Sequence, residues 1–176
     1  YSLKNDFVEI RWHPLDLAKY YIYKSYERGN YKLPLNNLPL KDNSFKDKIE
    51  KKRVVYYAIK AIRDDGLRIE SPLSEDIEVN PNTFVPTKPK KPTSVISEKG
   101  VYLIWDENPE TWINGYRVYR KDEEESEFKL IGDTLLPTFL DKELIKSKRA
   151  YYVTAIGPSK ESTPSDILEV YPLAER

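Results

Sequence analysis

The chain has 176 residues, 39% hydrophobic and 33% charged, with 29 basic side chains against 29 acidic ones. The balance holds along its length, 15 basic and 13 acidic residues in positions 1–85 against 14 and 16 in 86–176, which excludes the clustered positive charge of a nucleic-acid binder. Cysteine is absent, so no disulfide or thiolate metal site can form, and no apolar run approaches the ~18 residues of a membrane span.

The first element follows closely on Tyr1, as after removal of a cleaved export signal or trimming of the chain. Phe7-Val8-Glu9-Ile10-Arg11-Trp12 alternates with period two, which predicts a strand burying Val8, Ile10 and Trp12. His13, the one histidine of the chain, comes next, ahead of Pro14, and reads as a polar loop residue. A single imidazole rules out acid–base or zinc sites built on two. The next strand carries Tyr20 and Ile22 inward and Tyr21 and Tyr23 outward, with Tyr26 beyond it. Ser44-Phe45-Lys46-Asp47-Lys48 predicts a further strand, and Tyr57, Ile59 and Ala61 form the inward row of another. Asp64-Asp65-Gly66 then reads as turn chemistry, glycine supplying positive φ, before Glu70-Ser71 and the short run Ile77-Glu78-Val79.

Residues 80–92, Asn-Pro-Asn-Thr-Phe-Val-Pro-Thr-Lys-Pro-Lys-Lys-Pro, hold four prolines and predict an extended spacer. Phe84 and Val85 are too apolar for a purely solvated linker and are expected to pack at the junction.

Beyond the spacer the pattern starts again. Phe7–Trp12 returns as Gly100-Val101-Tyr102-Leu103-Ile104-Trp105, and Lys19–Lys24 as Gly115-Tyr116-Arg117-Val118-Tyr119-Arg120. Ser44–Lys48 returns as Thr138-Phe139-Leu140-Asp141-Lys142, and Tyr57–Ile62 as Tyr151-Tyr152-Val153-Thr154-Ala155-Ile156. Glu70-Ser71 and Ile77–Val79 return as Glu161-Ser162 and Leu168-Glu169-Val170. The offset drifts only between these blocks, so insertions fall in loops while strands keep register. Residues 1–80 are therefore expected to form one domain, with an incomplete first strand, 81–91 a proline-rich linker and 92–176 a second domain. About seven short strands per copy predict an all-β fold of two consecutive seven-stranded antiparallel β-sandwiches. Helix is expected nowhere except over Asp141–Lys148, which reads equally as a charged loop.

The order Val-x-Leu-x-Trp, Gly-Tyr-x-Val-Tyr-Arg, Thr-Phe-x-Asp, Tyr-x-Val-x-Ala and Glu-Ser-x-x-Ser, from Val101 to Ser165 and again more loosely from Val8 to Ser74, resembles a fibronectin type III domain of bacterial type in two copies. The resemblance implies strands A, B, C, C′, E, F and G, with Trp12 and Trp105 of strand B buried at the core. An immunoglobulin domain would instead place tryptophan on strand C between two cysteines. Copy one departs from the pattern at Lys19, where copy two has Gly115, and in its strand A.

Catalytic chemistry finds no constellation here. Six glycines form no phosphate loop and no Gly-x-Ser-x-Gly elbow occurs. The acidic run Asp122–Glu125 with Glu127 reads as a solvated loop. No catalytic, cofactor-binding or metal-binding residue is expected, and no cofactor. Fourteen tyrosines, five phenylalanines and three tryptophans are the surplus. Tyr21, Tyr23, Tyr26, Tyr102, Tyr119 and Tyr152 fall on outward faces, either for cross-strand pairing or as contact surface. Trp112, in the B–C connection, is either folded over the sandwich end or exposed. Trp112, Tyr119 and Tyr102 are the candidate interaction residues. The resemblance implies a non-enzymatic interaction or spacer module of an exported, lipid-anchored cell-envelope protein, extracellular or periplasmic. The alternative is a carbohydrate-contacting accessory region of a polysaccharide-degrading enzyme. The expected partner is a protein or polysaccharide, not nucleic acid, and the chain is expected to be monomeric.

Overall fold

The structure, a computed structural model, describes residues 1–65 and 68–174. Gly66 of the expected Asp64-Asp65-Gly66 turn lies outside the described residues. The chain divides into two compact units, Tyr1–Pro81 and the remainder from Asn82 onward.

In the first unit β1 (Ser2–Lys4), β2 (Phe7–Arg11) and β4 (Ser44–Lys48) form one antiparallel sheet. The second sheet is built on β5 (Val55–Asp64), paired with β3 (Ala18–Ser25), β6 (Arg68–Glu70) and β7 (Ile77–Val79). The facing rows bury Val8, Ile10, Tyr20, Ile22, Val55 and Tyr57. A three-residue β1 is all that stands as strand A. No C′ strand forms among the described residues of this unit. Pro34 and Pro39 lack the N–H that a ladder needs, and Asn36 takes its place on the edge of β3. Ile22 N–H donates to Asn36 Oδ1 at 2.9 Å, and Asn36 Nδ2 donates to the Tyr20 carbonyl at 2.9 Å.

The second unit repeats the plan more regularly. Strands β8 (Thr93–Ser97), β9 (Gly100–Ile104) and β12 (Thr138–Asp141) form one sheet in the order β12-β9-β8. Strands β10 (Gly115–Asp122), β11 (Lys129–Thr134), β13 (Arg149–Ile156) and β14 (Leu168–Val170) form the other, in the order β11-β10-β13-β14. Its core holds Val101, Leu103, Trp105, Tyr116, Val118, Tyr151 and Val153. Here the C′ strand β11 exists, and it explains Gly115. With φ +133°, Gly115 sits where a Cβ would meet the Thr134 carbonyl oxygen at 2.5 Å. The first unit has no strand in that place and accommodates Lys19.

Trp105 is 5% exposed and meets Tyr116 edge-on, ring centroids 5.4 Å apart. Trp12 makes the same edge contact with Tyr20 at 5.1 Å but is only half-buried, because its connection to β3 is shorter and covers less of it. Residues 82–91, read from composition as a linker, fold with the second unit. Phe84 is buried against Trp112, while Val85 is exposed. Residues 142–148 are irregular, and a 3₁₀ turn at Pro81–Thr83 is the one helical element among the described residues.

Candidate functional site

Most of the repeated polar residues serve the fold. Asp141, at the end of β12, accepts from the Tyr151 hydroxyl at 2.6 Å, from Arg120 Nη1 at 3.0 Å and from Arg149 Nη1 at 3.2 Å. Arg149 is 4% exposed and also donates to Asp122 at 2.6 Å and to the Glu143 carbonyl at 2.9 Å. In the first unit Asp47 accepts from the Tyr57 hydroxyl at 2.5 Å and from Lys24 at 2.7 Å. Burial and the neighbouring aspartate push the hydroxyls of Tyr57 and Tyr151 above their ordinary range, so both stay donors. The carboxylate–tyrosine–cation tie is what the repeated Phe-x-Asp block encodes.

The Ser-x-x-Ser block has a second structural task. Prolines 72 and 164 interrupt the last strand, and serine hydroxyls complete its ladder instead. Ala155 N–H donates to Ser162 Oγ at 2.9 Å and Val153 N–H to Ser165 Oγ at 3.0 Å. Ser71 and Ser74 do the same for Ala61 and Ile59, each at 2.9 Å. Ser162→Ala leaves the buried Ala155 N–H without its acceptor, and urea unfolding should show a loss of about 1–3 kcal/mol.

The three candidate interaction residues go to three different places. Trp112 is 3% exposed, its ring edge-on to Phe84 with centroids 5.3 Å apart. Phe84 folds over the B–C connection, so this tryptophan is a packing residue and not a surface anchor. Tyr119 is half-buried on the outer face of the β11-β10-β13-β14 sheet, stacked on Tyr152 at 4.7 Å, with Phe128 packed on Tyr152 at 4.6 Å. Its hydroxyl donates to Glu161 Oε1 at 2.6 Å, beside Arg117 Nη1 at 3.0 Å from Glu161 Oε2. Burial, with the Glu161 carboxylate next to it, pushes the Tyr119 hydroxyl up to about 12. Against burial, hydrogen bonds from Thr154, Tyr119 and Arg117 hold Glu161 below its ordinary value. One ring face and the hydroxyl of Tyr119 are thus already engaged.

Tyr102 stands on a different surface. The pairings Val95↔Tyr102↔Leu140 and Thr93↔Ile104↔Thr138 put six uncharged side chains on the outer face of the β12-β9-β8 sheet. Val95, Ile104, Thr93 and Thr138 are exposed, and Tyr102 and Leu140 half-buried. In the first unit the corresponding pairings Ser2↔Glu9↔Lys46 and Lys4↔Phe7↔Lys48, with Arg11↔Ser44, fill the same face with charge. There Glu9 is bracketed by Lys4 and Arg11, each at 2.8 Å. Hydrogen bonds from Lys4 and Arg11 hold its carboxyl at about 2. The first unit's face is charged apart from Phe7, and the second unit's is uncharged. In a chain one-third charged, that difference marks the second as a contact candidate.

No family model matches the chain. A two-domain fibronectin type III segment from chicken tenascin is similar to it with a TM-score of 0.58 and 16% identity, covering 97% of this chain and 95% of that one. The fold is fibronectin type III-like, in tandem. The chicken interferon gamma receptor alpha chain is similar at a TM-score of 0.64 and 14% identity, over 94% of this chain and 92% of that one. A chain of a cytokine receptor complex is similar at 0.52 and 14%, over 97% and 93%. In sequence, the titin homolog of Caenorhabditis elegans is 35% identical over 115 residues, 59% of this chain. The chain spans about 1% of the length of that curated relative.

Among the described residues no helix is long and apolar enough to cross a membrane, and no group of three or more His, Asp or Glu side chains is placed to hold a metal ion. The sequence pattern missed the ties at the half-buried Asp47 and the buried Asp141, although both aspartates stand in blocks that repeat. It also missed the uncharged face around Tyr102, whose residues show together only once β8, β9 and β12 are set in register.

Proposed function

We propose that the chain is a non-catalytic interaction and spacer module of an exported, lipid-anchored cell-envelope protein, contacting its partner through the β12-β9-β8 face of the second unit. The observation that carries the reading is the uncharged surface around Tyr102, set against the charged surface of the same strands in the first unit. The fold does not require an uncharged face here, because the other copy carries charged side chains in these places, with Phe7 as the one large apolar residue exposed among them. The partner it suits is an uncharged protein surface. Aromatic and hydroxyl groups side by side also suit a sugar chain, which keeps an accessory carbohydrate-contacting role as the second reading.

The test places a photo-crosslinking residue at Ile104 and, as control, at Arg11 in the matching position. Crosslinking of the Ile104 protein to an envelope protein, with none from the Arg11 protein, is the expected result. Equal crosslinking from both positions would remove the assignment. Retention on cell-wall polysaccharide, lost in Tyr102→Ala, would transfer it to the second reading. Protease shaving of intact cells tests the location, which requires cleavage from outside.

A further inference from the structure

The connection between β2 and β3 in the first unit departs from its counterpart without any gain in packing. Leu15 N–H donates to the Tyr20 hydroxyl at 2.7 Å, as Asn108 N–H does to Tyr116 at 2.7 Å, so both connections are tied to the core alike. Counted back from the matched pair Lys19 and Gly115, Leu17 stands where Ile113 does. Ile113 packs against the core of the second unit. Leu17 turns away from its own core and is 73% exposed, with φ +57°. A leucine in the left-handed region is uncommon and strained. Here the strained backbone presents an apolar side chain to solvent.

Leu17 has apolar company. Leu15 is 60% exposed and Ile69 56%. Leu15, Ala18, Ala61, Ile62 and Ile69 line a groove of about 340 Å³ on the flank of the same loop, bordered by Asp16 and Arg63. A projecting leucine and an apolar groove therefore lie side by side. Asp16 and Lys19 flank the leucine with opposite charges, and neither has an ion-pair partner among the described residues. The Arg63–Asp65 and Arg68–Glu70 pairs at the rim are closed on themselves, so the border carries no excess of either sign.

We propose that this end of the first unit binds the same end of a second copy of the chain. In a two-fold arrangement Leu17 of each copy enters the groove of the other, an isologous contact in which each surface supplies both halves of the fit. The same operation sets Asp16 of one copy against Lys19 of the other. Charge complementarity of this kind favours a second copy over an anionic or cationic partner, for which the neutral rim offers no preference. The contact is small, below the ~1,200 Å² of a standard interface, so association is weak and reversible.

Sedimentation equilibrium on the full chain tests this. The weight-average mass should rise towards twice the monomer value between about 10 µM and about 1 mM. Leu17→Gly removes the projecting side chain and relieves the positive φ; it should stay monomeric over that range while melting no lower than the parent. Asp16→Lys alone should weaken association about tenfold or more, and Asp16→Lys with Lys19→Asp should restore it. A parent that stays monomeric throughout overturns the proposal and leaves the surface to another occupant. Association that survives in Leu17→Gly, or a double charge reversal that fails to recover, overturns it as well.

Discussion

Asp141→Ala should cost the second unit about 3–5 kcal/mol, seen as a matching fall in the free energy of urea unfolding. Three side chains and the Glu143 N–H donate to this carboxylate, and one of the side chains is Arg149, whose guanidinium is almost fully enclosed. Removing the carboxylate leaves a cation in a site that water barely reaches, with Asp122, two backbone carbonyls and the Tyr151 hydroxyl oxygen as its remaining partners. The cost follows from the stranded charge and from the Tyr151 hydroxyl proton left without its acceptor, not from the strength of the ion pair itself. The repeat supplies its own control. In the first unit Val55 stands where Arg149 does, and Lys24 keeps Glu50 within 3.7 Å once Asp47 is gone. Asp47→Ala should therefore cost about 1–3 kcal/mol, the value of stranding a neutral hydroxyl. Equal losses in the two variants would show that enclosure of Arg149 contributes nothing.

The sandwich pattern was legible because its signal is apolar periodicity. Val8 and Ile10, Val101 and Leu103, and Tyr151 and Val153 recur at every second position, and every one of them is buried. The C′ strand expected in the first unit does not form, because Pro34 and Pro39 break the segment that would make it. What stayed hidden rests on contacts between distant segments. Phe84 lies in a stretch whose composition is that of a linker, and only the folded chain brings it onto Trp112. Trp112 was thus open to either fate in the sequence, since a tryptophan in a loop carries no period to read. Glu9 falls on an outward position, as alternation predicts, yet it is buried because the side chains of Lys4 and Arg11 close over it. The contact candidates divide the same way. Tyr119 and Tyr102 are both outward tyrosines by alternation, but Tyr152 and Glu161 occupy the first while the second is bordered by uncharged neighbours. That distinction depends on which strands lie side by side, and the chain order of those strands does not reveal it.

Truncating Trp105 to alanine should remove about 3–5 kcal/mol from the second unit, a large part of the 5–15 kcal/mol typical of a whole domain. Its indole fills the space between β9 and β10 and supports Tyr116, whose hydroxyl in turn holds the connection at Asn108. Loss of the ring therefore leaves a cavity and loosens that tie. Trp12→Ala should cost clearly less, because its half-exposed ring loses less contact and leaves a hole that water can enter. A third variant separates volume from polarity. The indole N–H of Trp105 is buried with no acceptor among the described residues, so it contributes a desolvation cost and no hydrogen bond. Trp105→Phe keeps most of the ring and discards that donor, and it should cost less than about 1.5 kcal/mol. Thermal melts of the three variants order the outcomes directly, with Trp105→Ala lowest and Trp105→Phe nearest the parent. If Trp105→Phe fell as far as Trp105→Ala, the indole nitrogen would be making a bond that holds the core, and the packing account of this tryptophan would be wrong.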